Sequence, residues 1–189
     1  VSPIRSAVWS PDESCIATGA DDGTVSLWAC EKLRIQARPK AEFAAHAGRV
    51  NDLLFTSDSR WLISCGWDDT IRIWEPSGKH WDTFHGHRDR VEAIALSPDE
   101  RTLVSASSDR TLIVWDLATG AAKQVIAPDV AYRMVAVDYA PDGRFIAAGD
   151  ATGRLYVIDP RTWQVVMARQ VDGIESLSIL KESHIWRLN

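Results

Sequence analysis

His46, Ser64 and Asp68 are the residue types of a hydrolase triad: an imidazole base, a hydroxyl nucleophile and a carboxylate that orients the base. The same types return at His87, Ser105 and Asp109, again 18 and 22 residues after the His. Each set also carries a Trp, Trp74 or Trp115, which falls six residues after the Asp and ten after the hydroxyl residue. A third set, Thr18, Asp22 and Trp28, keeps those two shorter offsets, and its His position would precede Val1. An active site is built once, so a constellation that recurs with fixed spacing belongs to a scaffold. No G-x-S-x-G elbow occurs to expose a nucleophile. The chain is therefore not expected to be an enzyme.

Other chemistries fare no better. His80, His85 and His87 straddle a strand end and the next loop, without Cys or carboxylates at ligand spacing, so no metal site is expected. Acidic turns such as Asp21-Asp22-Gly23 lack the further acidic ligands of a calcium loop. No phosphate-cradling Gly-rich loop is present, and no cofactor is expected. His184 stands alone and carries no reading.

Bulk composition narrows the partners. The 189 residues are 46% hydrophobic and 25% charged, ordinary for a globular protein. The formal charge of −5 and the absence of a basic run argue against nucleic acid as main partner, because phosphate binding needs clustered Lys and Arg. No apolar stretch is long enough to span a bilayer. Cys15, Cys30 and Cys65 form no CxxC pair and leave one thiol over in any pairing, which reads as free thiols in a reducing, cytoplasmic compartment. No signal-peptide pattern is present. The chain opens Val1-Ser2-Pro3, inside one repeat unit, and stops inside another, which reads as a fragment.

The elements that must position the recurring residues come from a second ruler. Acidic turns follow strand-like runs at Ser10-Pro11-Asp12, Thr56-Ser57-Asp58, Ser97-Pro98-Asp99 and Ala140-Pro141-Asp142. Their Asp-to-Asp steps are 46, 41 and 43 residues. Sixteen residues after each Asp stand Trp28, Trp74, Trp115 and Ile158, so a fourth unit exists without its Trp. Within the second unit, Val50–Phe55, Trp61–Cys65, Thr70–Trp74 and His80–Phe84 read as strands by their period of two. The third unit repeats this with Val91–Leu96, Thr102–Ser107, Thr111–Trp115 and Ala122–Ile126. Tight turns at Asp22-Gly23, Asp68-Asp69, Asp109-Arg110 and Thr152-Gly153 separate strands two and three. Four strands per unit at a forty-odd-residue period predict an all-β array of antiparallel sheets. Radial stacking of such sheets gives a propeller; a β-solenoid would have shorter repeats.

His46 … Ser64 … Asp68 … Trp74 and Gly86-His87 … Ser105 … Asp109 … Trp115-Asp116 closely resemble the WD-repeat β-propeller family, over about residues 1–170. The resemblance implies four-stranded antiparallel blades at about 1–45, 46–86, 87–127 and 128–170, and a partial or divergent fifth at 171–189. It implies a fragment of a seven-bladed ring, so the 189 residues alone are not expected to close a monomeric ring. It also implies a hydrogen-bonded relay from Trp through Ser or Thr and His to Asp: Trp74–Ser64–His46–Asp68, Trp115–Ser105–His87–Asp109, and Thr18, Asp22 and Trp28 in a third. The fourth unit departs, with Ala148, Thr152, Ile158 and Val130 at the relay positions. Ile174–Leu180 looks like the first strand of a fifth unit, and Lys181–Asn189 matches nothing in the repeat.

In this family partners bind at positions three and five residues after the relay His and immediately before the turn Asp. Carried over, these are Arg49 and Asn51, Arg90 and Glu92, Arg133 and Val135, and Pro3 and Arg5. The second class is Asp21, Trp67, Ser108 and Ala151. Trp67 lies in a turn outside the strand alternation and has little core to fill, so it reads either as a lid on its own blade or as a contact residue. Three Arg at equivalent positions would suit an acidic or phosphorylated peptide. Trp61, aligned with Cys15, Thr102 and Phe145, is expected in the core; Trp81 and Trp163 are expected to pack on outer strands. The function these features imply is a protein-interaction scaffold within a larger intracellular chain or complex, with no nucleic acid or membrane partner. The alternative is a sensor propeller of a multidomain signalling ATPase or kinase whose catalytic domain lies outside this segment.

Overall fold

The computed structural model describes residues 2–31, 34–128 and 131–171. Every regular element among them is a β-strand. The chain divides into two compact units, Val1–Glu92 and Ala93–Asn189. The expected fifth-unit strand 174–180, the segment 181–189 and Val130 lie outside the described residues.

The first unit contains two sheets. One runs β1 (Ile4–Trp9), β2 (Cys15–Ala20), β3 (Thr24–Glu31), β4 (Arg34–Ile35), with β5 (Ala41–Ala44) also pairing with β3. The longer step of 46 residues in this unit accommodates the short β3–β4 hairpin, Glu31 opposite Arg34. The other is β6 (Val50–Phe55), β7 (Leu62–Gly66), β8 (Ile71–Trp74), β9 (His80–Phe84), in sequence order across the sheet. β2 buries Cys15, Ala17 and Gly19 and leaves the residues between them half-buried, the period-two signature of a strand. Cys15, Ala17, Val25, Leu27, Val50, Leu53, Phe55, Leu62 and Trp74 close into one core. A Cβ on Gly19 would sit 2.6 Å from Val50 Cγ1, so the missing side chain is what lets β2 and β6 approach.

The second unit repeats the plan. β10 (Val91–Leu96, beginning at the unit boundary), β11 (Thr102–Ser107), β12 (Leu112–Asp116) and β13 (Ala122–Ile126) form one sheet. β14 (Met134–Tyr139), β15 (Ile146–Asp150), β16 (Arg154–Asp159) and β17 (Gln164–Gln170) form the other. Its core gathers Val104, Leu112, Val114, Met134, Val137, Tyr139, Ile146, Tyr156 and Ile158. The four-stranded antiparallel sheets are blade-like, and the all-β reading holds. Ala148 and Ile158 are fully buried, so the fourth unit fills with hydrocarbon where the others carry hydroxyl and indole.

The acidic turns explain why the second ruler works. Ser10, Thr56 and Ser97 donate their hydroxyls to Asp12, Asp58 and Asp99 at 2.6–2.7 Å, while accepting the N–H of Cys15, Trp61 and Thr102. Each Asp also accepts the N–H two residues on. The hydroxyl holds Asp12 down at about 2, with the Ser14 N–H assisting. Ala140 lacks the hydroxyl, and there Asp142 keeps the Arg144 N–H.

Two Trp expectations need correction. Trp61 precedes β7 and is not core; Leu62 takes the buried place opposite Trp74, and alternation turns Trp61 away, onto Trp81 at 4.9 Å. The aligned Phe145 is 41% exposed, so this register position is a rim position that only the small Cys15 buries. Trp163 is not on an outer strand but in the turn before β17, at φ 59°, packed on the second core.

Candidate functional site

The relay residues of the second sheet meet in one chain of hydrogen bonds. Trp74 Nε1–H donates to Ser64 Oγ at 2.9 Å. Ser64 Oγ lies 2.8 Å from His46 Nε2, and His46 Nδ1 lies 2.7 Å from Asp68 Oδ1. A carboxylate only accepts, so Nδ1 carries a proton and donates to Asp68, and in the neutral imidazole Nε2 then takes the Ser64 hydroxyl hydrogen. Asp68 also accepts the Thr70 hydroxyl, the Ala47 N–H and an Arg72 N–H. Burial alone would raise its pKa, but the imidazole and these donors hold it well below the usual carboxylate range. Ser64 is fully buried, and its oxygen also takes the Trp74 indole N–H, a bond that ties it into the sheet.

The other sets differ in completeness. In the first sheet Trp28 Nε1–H donates to Thr18 Oγ1 at 2.9 Å, with the indole half-buried. Asp22 is exposed there and accepts the Thr24 N–H. In the third sheet Trp115 Nε1–H donates to buried Ser105 at 2.8 Å, and Asp109 accepts the hydroxyl and N–H of Thr111. His87 is buried in the first unit. The fourth sheet holds a network the repeat pattern does not reveal. Buried Asp150 accepts the Tyr156 hydroxyl at 2.9 Å, the Thr152 hydroxyl and N–H, and the Arg154 N–H. Burial and the neighbouring carboxylate push Tyr156 up to about 12. Asp150 sits two residues before the repeat's Asp position, so counting offsets passes over it.

The contact positions share a backbone cause. β1, β6 and β14 each skip one residue against their partner strand: Arg5, Asn51 and Val135 have no opposite number. Such a bulge re-aims its side chain and raises the local twist. Beside each bulge the residue before the turn pairs back: the N–H groups of Asp21, Trp67 and Ala151 donate to the carbonyls of Pro3, Arg49 and Arg133. Within each of these sheets the two classes of contact position are thus neighbours on its rim.

In the first unit that rim carries a charged cluster. Arg5 grips Asp21 with two N–H donors at 2.6 Å each. Arg49 Nε is also 2.6 Å from Asp21 Oδ1, without an N–H aimed along that line. Arg5, with Arg49, holds the Asp21 carboxyl below its ordinary range. Trp67 is 37% exposed, and two guanidiniums lie against its ring, Arg90 at 3.8 Å and Arg49 at 4.5 Å from the centroid. Asn51 is spoken for: its amide donates to Val91 O and Glu92 Oε2. In the second unit Ser108 is half-buried, whereas Arg133 and Ala151 are exposed. Trp67 therefore serves as a platform under two cations. Among the described residues no three His, Cys, Asp or Glu gather as a metal site, and no helix is long and apolar enough to cross a membrane.

Comparison with known proteins fits this geometry. The family model "WD domain, G-beta repeat" matches residues 1–29, 37–75 and 78–116, the three units that carry the Trp. The chain is 36% identical over 85 residues to Topless-related protein 3 of Arabidopsis thaliana, covering 44% of this chain and 8% of that protein. It is 38% identical over 74 residues to human WD repeat-containing protein 36, covering 39% and 8%. It is 37% identical over 60 residues to DDB1- and CUL4-associated factor 13 of Dictyostelium discoideum, covering 32% and 13%. The chain thus spans a small part of these relatives. WD-repeat domains are generally non-catalytic and hold other proteins. With three of its four sheets matched and the Trp–hydroxyl bond present in each, this chain belongs to the WD-repeat family.

Proposed function

We propose that this chain is a non-catalytic interaction scaffold that holds an acidic or phosphorylated segment of a partner protein at Arg49, Trp67 and Arg90. The observation that carries the reading is the pair of guanidiniums stacked on one half-exposed indole. An Arg side chain normally gives up rotamer freedom to grip an anion; here the indole has already fixed both. Asp21 is shared by Arg5 and Arg49, whereas Arg90 lies on the open indole face. A carboxylate or phosphate then meets preformed donors.

The same reading takes the sheets as blades of a ring of about seven, and includes His87 as the third relay's imidazole. It places the protein in the cytoplasm as part of a larger chain or complex. A Candida glabrata relative named for cytosolic iron-sulfur protein assembly supports that.

An array of Asp-, Glu- and phosphoserine-containing peptides beside their neutral and basic counterparts, probed with the chain and its R49A/R90A variant, tests the proposal. The chain is expected to select acidic peptides, and the variant to bind them at least ~10-fold more weakly, about 1.4 kcal/mol. Selection of neutral or basic peptides, or an indifferent variant, overturns it.

A further inference from the structure

The second unit contains a cleft of about 370 Å³ lined by Ser97, Pro98, Asp99, Thr102, Tyr139, Asp142, Gly143, Pro160 and Trp163. Two prolines, an indole and a phenol make its apolar walls. Its lining includes two carboxylates and no Lys, Arg or His. Asp99 is held below its usual range by the Ser97 hydroxyl and the Arg101 N–H, and Asp142 by Arg144, so both are anions at neutral pH. Arg144, the ion partner of Asp142, keeps a side chain 76% exposed, and such a surface pair gives way readily to a competitor.

Trp163 is an unusual residue for its place. Its N–H donates to Asp159 O, four residues back, as the Gly120 N–H donates to Asp116 O in the neighbouring sheet. Both residues lie in the left-handed region, at φ 59° and 69°. Glycine adopts that conformation freely; a bulky L-residue there is strained. The second sheet also has glycine in this turn, Gly78 at φ 87°. The fourth sheet instead carries its largest side chain there, on the wall of the cleft.

We propose that this cleft receives an arginine or lysine side chain of a partner protein, held against Trp163 and Tyr139 and neutralised by Asp99 and Asp142. An aromatic wall beside carboxylates is complementary to a cation with an aliphatic stem. The site is separate from the Trp67 cluster and has the opposite charge preference.

The test is NMR on the full 189-residue chain with acetyl-arginine-N-methylamide as probe and its neutral isostere, acetyl-citrulline-N-methylamide, as control. The arginine probe is expected to shift the Trp163 indole N–H saturably, with citrulline at least fivefold weaker. D99N/D142N keeps oxygen acceptors for the turn hydrogen bonds but removes both charges, and is expected to weaken the response at least fivefold. W163G takes the residue type of Gly120 and is expected to abolish the response read at the Gly143 amide. The relay indole signals of Trp74 and Trp115 report that each variant is folded. No shift, an equal shift with citrulline, or an undiminished response in D99N/D142N overturns the assignment.

Discussion

Replacing Ser64 with Ala removes one hydroxyl and strands two buried groups. Trp74 Nε1–H loses its acceptor and His46 Nε2 loses its donor, at positions 4% and 5% exposed. Each buried orphan costs about 1–3 kcal/mol, so S64A should cost about 2–6 kcal/mol. The internal comparison is T18A. There the bond to Trp28 and a long 3.4 Å bond to Ser26 O are lost, but the indole is half-buried, so water substitutes and the cost should stay near ~1 kcal/mol. With a urea dependence of about 1–2 kcal/mol per molar for a unit this size, S64A lowers the midpoint by roughly 2 M or more and T18A by about 0.5–1 M. Trp fluorescence in urea reads both, since the chain has nine Trp. If S64A lowers the midpoint no more than T18A, the relay is not what stabilises the second sheet.

Further expectations follow from the same contacts. The Asp12 carboxyl sits at about 2, below its unfolded value of ~3.9, so its stabilisation is present above that unfolded value and lost as pH falls through the folded one. Removing the Ser10 hydroxyl with S10A should flatten the acid limb of the stability curve between about pH 4 and pH 2; an unchanged limb counts against the turn's role. Y156F deprives buried Asp150 of one donor and should cost about 1–3 kcal/mol while raising the Asp150 pKa, measurable by carboxyl NMR titration. An Asp150 pKa that does not move shows that the tyrosine hydroxyl is not a partner in solution.

Much of the fold was legible because the repeat marks its own joints. The Ser/Thr-x-Asp and Asp-Gly turns use local hydrogen bonds that recur from copy to copy, so their spacing survives in the sequence. Strands of the second and third units fell within a residue or two of expectation for that reason. What stayed hidden depends on one-residue geometry. The bulges at Arg5, Asn51 and Val135 leave no compositional trace, yet they bring the contact positions side by side. Trp61 was misjudged because one residue of register separates a core face from a rim. Asp150 and Tyr156 escaped because the fourth sheet moved its buried carboxylate by two residues. The Trp67 reading stood between lid and contact residue; the fact that two guanidiniums cover it could not be read from spacing.

In the proposed division of labour, the recurring His, Ser and Asp hold their sheet together while the neighbouring Arg49–Trp67–Arg90 cluster meets the partner. The most direct measurement titrates one phosphoserine-rich peptide into the chain, R49A/R90A and S64A, by calorimetry, with the urea midpoint recorded on the same samples. R49A/R90A is expected to lose binding at an unchanged midpoint, while S64A loses midpoint but, where folded, still binds. Binding that survives in R49A/R90A, or a midpoint that falls as far there as in S64A, contradicts it.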